Sequence, residues 1–176
     1  PVVAGKWLTR LLALPIAPSL QLAVARAQAT AVAVRMAPIR ETLRIEWPSA
    51  PDEGRLRIGY VSGDFRNHAT AHLARKLFRV HDRTRFEIVG FGLRPDDGSE
   101  YRRDIVDGCD RFVDLTELSH ADAALRVAQE RIHILVDMHG YTRYARPELF
   151  ALRPAPVQVS FLGYPGTLGA EYVPYL

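Results

Sequence analysis

From Arg55 onward, short apolar runs alternate with amphipathic segments, and this alternation restricts the fold more than any other feature of the chain. "LRIGYVS" (56–62), "FEIVGFGL" (86–93), "RFVDL" (111–115), "IHILVDMHG" (132–140) and "VQVSFLGY" (157–164) have the length and β-branched or aromatic content of strands. Between them the spacing predicts helices from about Thr70 to His81, over "SEYRRDIVDGC", over "HADAALRVAQER" and, briefly, over "RPELFAL". Strands that are apolar on both sides have no face to give to water. Alternating with helices, they require a parallel sheet covered on both faces. The expected fold class is α/β, with a Rossmann-like lobe over residues 55–176.

Residues 1–54 read differently. "PSLQLAVARAQATAVAVRM" is helical, with Ser19 as the expected N-cap after Pro18. Pro38, Pro48 and Pro51 then make residues 38–54 an extended connector. Arg26, Gln21 and Gln28 break the apolar stretch of 11–34, so it reads as neither a membrane span nor a secretory signal. The 23 basic residues face 20 acidic ones and form no run of five, which disfavours a nucleic-acid-binding stripe but leaves room for phosphate groups. A single cysteine, Cys109, excludes a disulfide framework and points to a reducing, cytoplasmic setting. No CxxC or HExxH spacing suggests a metal.

Sheets of this type bind ligands at the carboxyl ends of their strands, which here collect the loops 62–70, 93–99, 138–146 and 163–169. The first turn, "GYVSGDFRNHAT", has neither GxGxxG nor GxxxxGK[ST], so a dinucleotide fingerprint and a P-loop are both absent. It offers Asp64, Asn67, His68 and a helix start near Thr70, a setting suited to a sugar hydroxyl, a phosphate or a developing alkoxide. The plainer alternative is that Asn67 or Thr70 only caps the helix. His68 and His72 share a helical face, but no third ligand follows to hold a metal, and His72 reads as structural, as does Cys109. Residues 137–170 gather Gly140, Gly163, Gly166 and Gly169 with the hydroxyls of Tyr141, Thr142, Tyr164 and Thr167 at two adjacent strand ends. "YPGT" alone is also explained by a proline–glycine turn.

With these residues in view, the chain resembles the protein O-linked N-acetylglucosamine transferase family through "GRLRIGYVSGDFRNHATAHL", "RFEIVGFGLRPDDGSEYR", "RIHILVDMHGYTRYAR" and "ELFALRPAPVQVSFLGYPGTLGA", from about Pro15 to Leu176. The resemblance implies the N-terminal lobe of a GT-B glycosyltransferase. It also implies an inverting, metal- and cofactor-independent transfer from the donor UDP-N-acetylglucosamine to Ser or Thr of a protein or peptide acceptor. By the same resemblance Asp64 and His68 are catalytic, as proton shuttle and as a group against the donor sugar. Asn67, Thr70, Tyr141, Thr142, Leu162, Gly163, Tyr164 and Pro165 then bind substrate. The departures are Ala69 for a family proline, His139 for a family asparagine, and no histidine in residues 1–67, where the family has one. The family's second lobe, which holds uridine and the diphosphate, is expected to be needed for activity and to lie beyond Leu176. A non-catalytic remnant or binding module, and a related protein O-fucosyltransferase, are the alternatives.

Overall fold

Strand β1 (Leu56–Ser62) sends Ile58 and Tyr60 to one face of a sheet and Val61 to the other, and all three are buried. The computed structural model describes residues 4–49 and 54–176. Its other strands are β2 (Phe86–Gly92), β3 (Arg111–Asp114), β4 (Ile134–Asp137) and β5 (Val157–Ser160), and its helices are α1 (Ala4–Leu11), α2 (Pro18–Leu43), α3 (Ala69–Ala74), α4 (Glu100–Gly108), α5 (His120–Gln129) and α6 (Pro147–Ala151). The five strands pair in parallel in the order β3-β2-β1-β4-β5. The chain winds outward from β1 to β3 and returns past β1 to β4. The direction of winding therefore reverses between β1 and β4, the place where such sheets open a ligand crevice.

Each face has its own core. Val61, Phe91 and Leu135 pack with Val32 of α2, Val127 of α5 and Leu149 of α6 on one side. Ile58, Ile88 and Met138 pack with Ala71 of α3, Ile105 of α4 and Phe78 on the other. Leu8 of α1 and Ala29, Val32 and Met36 of α2 share the first of these cores, so the leading helices and the sheet are built around common apolar contacts. Fully burying one such side chain contributes about 1.5–3 kcal/mol before conformational entropy is set against it. At the amino edge of the sheet, charges tie the strands together. The Glu87 carboxylate on β2 takes Arg57 Nε at 3.0 Å and Arg111 Nη2 at 2.7 Å, one from each neighbouring strand.

Local structure departs from the sequence-based expectation in four places. Helix α2 continues through Pro38 to Leu43 instead of ending near residue 37. The carbonyl deprived of its partner by Pro38 belongs to Val34, which is 68% exposed, so water can replace the lost bond. The N-cap of α2 is Ala17, without a side-chain bond, and Pro18 rather than Ser19 opens the first turn. The helix expected over 70–81 splits into α3 and a 3-10 turn at Leu77–Arg79, which puts Phe78 against both Tyr60 and Phe65 at ring distances of 5.2 and 5.4 Å. Finally, β4 and β5 stop several residues short of the apolar runs that announce them, because both ends turn into the loops of the site. Part of the expected connector, residues 50–53, lies outside the described residues.

Arg146 joins the carboxyl end of β3 to α5 and α6. Its guanidinium donates to the carbonyls of Leu115 and Leu118 at 3.0 and 2.9 Å, and its Nε donates to His120 Nδ1 at 3.2 Å. Burial, and then the neighbouring Arg146 and Arg35 charges, hold His120 below the ordinary histidine range against the opposing pull of Glu148. His81 is lowered likewise, by burial and by Arg83. Because the folded rings resist protonation, the unfolded chain takes up these protons first. Stability is therefore greatest above about pH 6.5 and falls as pH drops through that value. The melting temperature is expected to fall between pH 7 and pH 5, and His120→Gln, which keeps an acceptor for Arg146, should flatten part of that slope in a thermal-denaturation series. An unchanged slope removes His120 as a source.

Candidate active site at the carboxyl edge of the sheet

The loop after β1 is anchored before it reaches the site. Phe65 is 3% exposed, and its carbonyl accepts Arg102 Nη1 at 3.3 Å, while the Arg102 guanidinium lies over Phe112 at 4.1 Å. Asp64, one residue earlier, donates its N–H to Ser62 Oγ at 2.9 Å. Its side chain is left with 12% exposure, and Oδ2 stands 3.4 Å from His68 Nδ1 and 3.3 Å from His139 Nδ1. One carboxylate oxygen thus faces two imidazoles, one half-exposed and one buried.

His68 is the N-cap of α3, with extended backbone, and its Nδ1 accepts the Thr70 N–H at 3.3 Å. Neither Asn67 nor Thr70 serves as the cap. The neutral ring therefore carries its proton on Nε2. A proton taken up at Nδ1 would be received beside the Asp64 carboxylate. Asn67 is used differently: its N–H donates to Asp97 at 2.8 Å, and its Oδ1 lies 2.8 Å from His72 Nε2, whose ring stacks on Tyr101 at 4.2 Å. Burial raises the Asp97 carboxyl, but hydrogen bonds from Asn67 and Ser99 outweigh it and hold the group below its usual range. His72 and Asp97 are thereby occupied in fastening the β1 and β2 loops to one another.

At the end of β4 the buried Asp137 carboxylate accepts the N–H groups of His139 at 2.9 Å and Gly140 at 3.0 Å. Burial pushes this carboxyl up, against the pull of those donors and of His139. Tyr141 follows, 2% exposed, with its hydroxyl donating to the Leu168 carbonyl at 2.9 Å and its ring edge-on to Tyr164 at 5.7 Å. Burial raises both phenols, so these tyrosines keep their protons near neutral pH and shape the loop without relaying protons. Thr142 donates its hydroxyl to the His139 carbonyl at 2.9 Å.

The loop after β5 crosses directly over the end of β4. Leu162 sits at φ 66° and is 41% exposed. A Cβ on Gly163 would come within 1.9 Å of the Met138 carbonyl oxygen and 3.0 Å of the His139 nitrogen. Only a glycine lets these two backbones touch, and this contact brings the Gly163–Pro165 loop to the Asp64–His139 cluster. Beyond it, Tyr164 and Pro165 line a trough of about 1250 Å³ between α2 and residues 166–176. Asp64, His68 and His139 do not line that trough, and the chemistry is assigned to the edge where the titratable groups meet.

Three contributors escape the sequence-based list. His139 is 1% exposed and bonded through Nε2 to the Arg143 carbonyl at 2.7 Å; "DMHG" signals it only as a polar residue at a strand end. Arg94 and Arg143 both lie on the Tyr144 ring, at 4.0 and 4.6 Å, and put two guanidinium groups at the rim of the site. Among the described residues no group of three or more His, Cys, Asp or Glu side chains is arranged around a common point that would hold a metal ion. No described helix is long and apolar enough to cross a membrane.

The chain superposes on a variant of the O-GlcNAc transferase of Thermobaculum terrenum with a TM-score of 0.79, at 31% identity, over 90% of this chain and 30% of that one. The fold is therefore that of a GT-B glycosyltransferase lobe. The model of glycosyl transferase family 41 matches residues 12–176, and the chain belongs to this family, as its "FALRPAP" and "LGYPGT" segments suggest. It is 49% identical over 123 residues to the UDP-N-acetylglucosamine–peptide N-acetylglucosaminyltransferase of Caenorhabditis elegans and 44% identical over 122 residues to a probable enzyme of the same name from Arabidopsis thaliana. Each alignment covers 69% of this chain but only 11% and 12% of the respective relatives.

The backbone contact at Gly163 is testable through stability. Gly163→Ala is expected to destabilise the chain by about 3 kcal/mol or more, because the clash is with backbone and cannot be relieved by a rotamer change. Gly98→Ala, at φ 68° with open space around it, should cost only about 1–2 kcal/mol. Equal losses in denaturant titrations would refute the close-packed crossing.

Proposed function

We propose that this lobe activates the acceptor and holds the sugar in transfer of N-acetylglucosamine from UDP-N-acetylglucosamine to Ser or Thr hydroxyls of proteins, with inversion and without a metal or coenzyme. The observation that carries the reading is the nearly buried Asp64 carboxylate 3.4 Å from the half-exposed ring of His68, at the crevice between β1 and β4. In an inverting transfer the acceptor oxygen forms its bond to the anomeric carbon as the bond from that carbon to the UDP oxygen breaks. The acceptor must shed its proton and the diphosphate must depart with added negative charge. Asp64 and His68 can take the proton between them. Arg94 and Arg143 can offset charge at the departing phosphate, as fixed cations do in place of a metal. Asn67, Thr70, Thr142 and the Leu162–Pro165 loop form the polar surround in which the sugar is held. Family membership and the names of the relatives support the donor and the peptide acceptor. The one cysteine, whose thiol is pushed up to about 12 mainly by burial, fits a reducing cytoplasm.

His68→Ala, assayed in the protein as its own cells make it, should lower kcat by about 10²–10⁴-fold. The fold should survive, because a half-exposed loop side chain contributes little packing. Near-normal turnover with an unchanged melting curve removes His68 from the reaction. We further propose that the diphosphate and base of the donor are enclosed by a second lobe. The purified 176-residue chain is therefore expected to release no measurable UDP from UDP-N-acetylglucosamine, and turnover by that chain alone would overturn this part of the reading.

A further inference from the structure

His139 is buried more completely than any other titratable side chain facing the site, and the reaction outlined above does not use it. The Arg143 carbonyl, 2.7 Å from Nε2, can only accept, so Nε2 carries a proton. Nδ1 then faces Asp64 Oδ2 at 3.3 Å in a space that water scarcely reaches. With Nδ1 bare, the ring could accept only the Ser62 hydroxyl proton and would offer Asp64 no donor. With a proton between them, the contact becomes an ion pair that compensates the burial of the Asp64 carboxylate. The other groups around the ring come from every loop packed on it. Ser62 Oγ lies 3.5 Å from Nδ1 and already accepts the Asp64 N–H. Asp137 takes the His139 N–H at 2.9 Å. The Arg94 stem and the His139 ring both flank Gly63, at 3.3 and 3.2 Å from its Cβ position. Two carboxylates, Asp64 and Asp137, thus lie beside the ring, and the Arg94 and Arg143 guanidinium groups stand farther out at the rim.

We propose that His139 is a positioning residue. It pins the Asp64 carboxylate through a proton shared with Nδ1, while Nε2 is tethered to the β4 loop, and so presents the same oxygen to His68. The proposal rests on the reading of Asp64 and His68 as the proton-handling pair. It makes Asp64 a fixed carboxylate rather than a mobile one, and it couples the β1 loop to the β4 loop through one side chain.

Two variants separate the two contacts. His139→Gln reaches for the Arg143 carbonyl and abandons Asp64, whereas His139→Asn keeps a neutral donor near the Nδ1 position and gives up the tether. In the protein as its cells make it, His139→Gln is expected to lose about 10- to 100-fold in kcat with little change in KM for UDP-N-acetylglucosamine. His139→Asn should retain more of kcat but change the acid limb of the pH–rate profile. Independently, nitrogen-15 spectra of the 176-residue chain at neutral pH should show both His139 ring nitrogens protonated, with that signature altered in Asp64→Asn. A bare Nδ1, or a His139→Gln protein that folds and keeps wild-type kcat and pH profile, overturns the proposal. If His139→Gln does not fold, the His139→Asn profile and the spectrum decide. Loss of the acid/base reading is distinguishable, because it would appear as normal turnover in His68→Ala with the His139 signature intact.

Discussion

Parallel strands buried on both faces must end somewhere, and the peptide groups released at their ends need partners where water is scarce. At β4 this requirement is met by the strand's own last residue. The Asp137 side chain turns back to accept two successive N–H groups, closing the strand and starting the loop in one step. Everything at the site hangs from that closure. It sets the His139 ring against Asp64, aims Tyr141 into the core, and leaves the Met138 carbonyl as the surface on which Gly163 rests. A carboxylate at this position carries a desolvation cost that an amide would not, so the two donated hydrogen bonds offset part of a real penalty.

The same economy governs the proton-handling residues. Asp64 is nearly buried and would be costly as an isolated charge. It is held between imidazoles, one inside and one at the surface, so that charge can be balanced on the protein side and exchanged on the solvent side. Arginines stacked on Tyr144 stand at the rim, where they are exposed enough to meet an anion and ordered enough not to roam. The charged residues at the opposite edge, around Glu87, are paired with one another and bind strand to strand. One edge of the sheet is thus neutralised internally, while the other keeps its polar groups turned toward whatever binds.

Much of this was legible in the chain itself. Doubly apolar strands alternating with helices define a parallel α/β lobe because no other arrangement hides both faces, and the strand-end rule brings Asp64, His68 and the 138–146 and 163–169 loops to one edge. Helix bounds were less legible. Pro38 reads as a breaker, but packing of α2 against α6 and α5 keeps the helix going where the freed carbonyl meets water. The apolar pattern beyond Ala74 reads as continuous helix, although Phe78 needs a tighter turn to reach Tyr60 and Phe65.

The roles of the polar residues divide along the same line. Residue types and their spacing determine by themselves an α/β lobe with a carboxylate and a histidine at the first strand end, since covalent neighbours and periodicity carry that information, whereas membership of family 41 rests on the likeness of whole segments to that family. Which groups pair with which was decided only by tertiary structure. Asp64 meets His139 across 75 residues of chain, the Tyr141 hydroxyl donates to the Leu168 carbonyl, and Asn67 turns its Oδ1 to His72. Such pairings depend on distances of a few tenths of an ångström between separate loops, and no local rule of sequence encodes a distance between segments that only folding brings together.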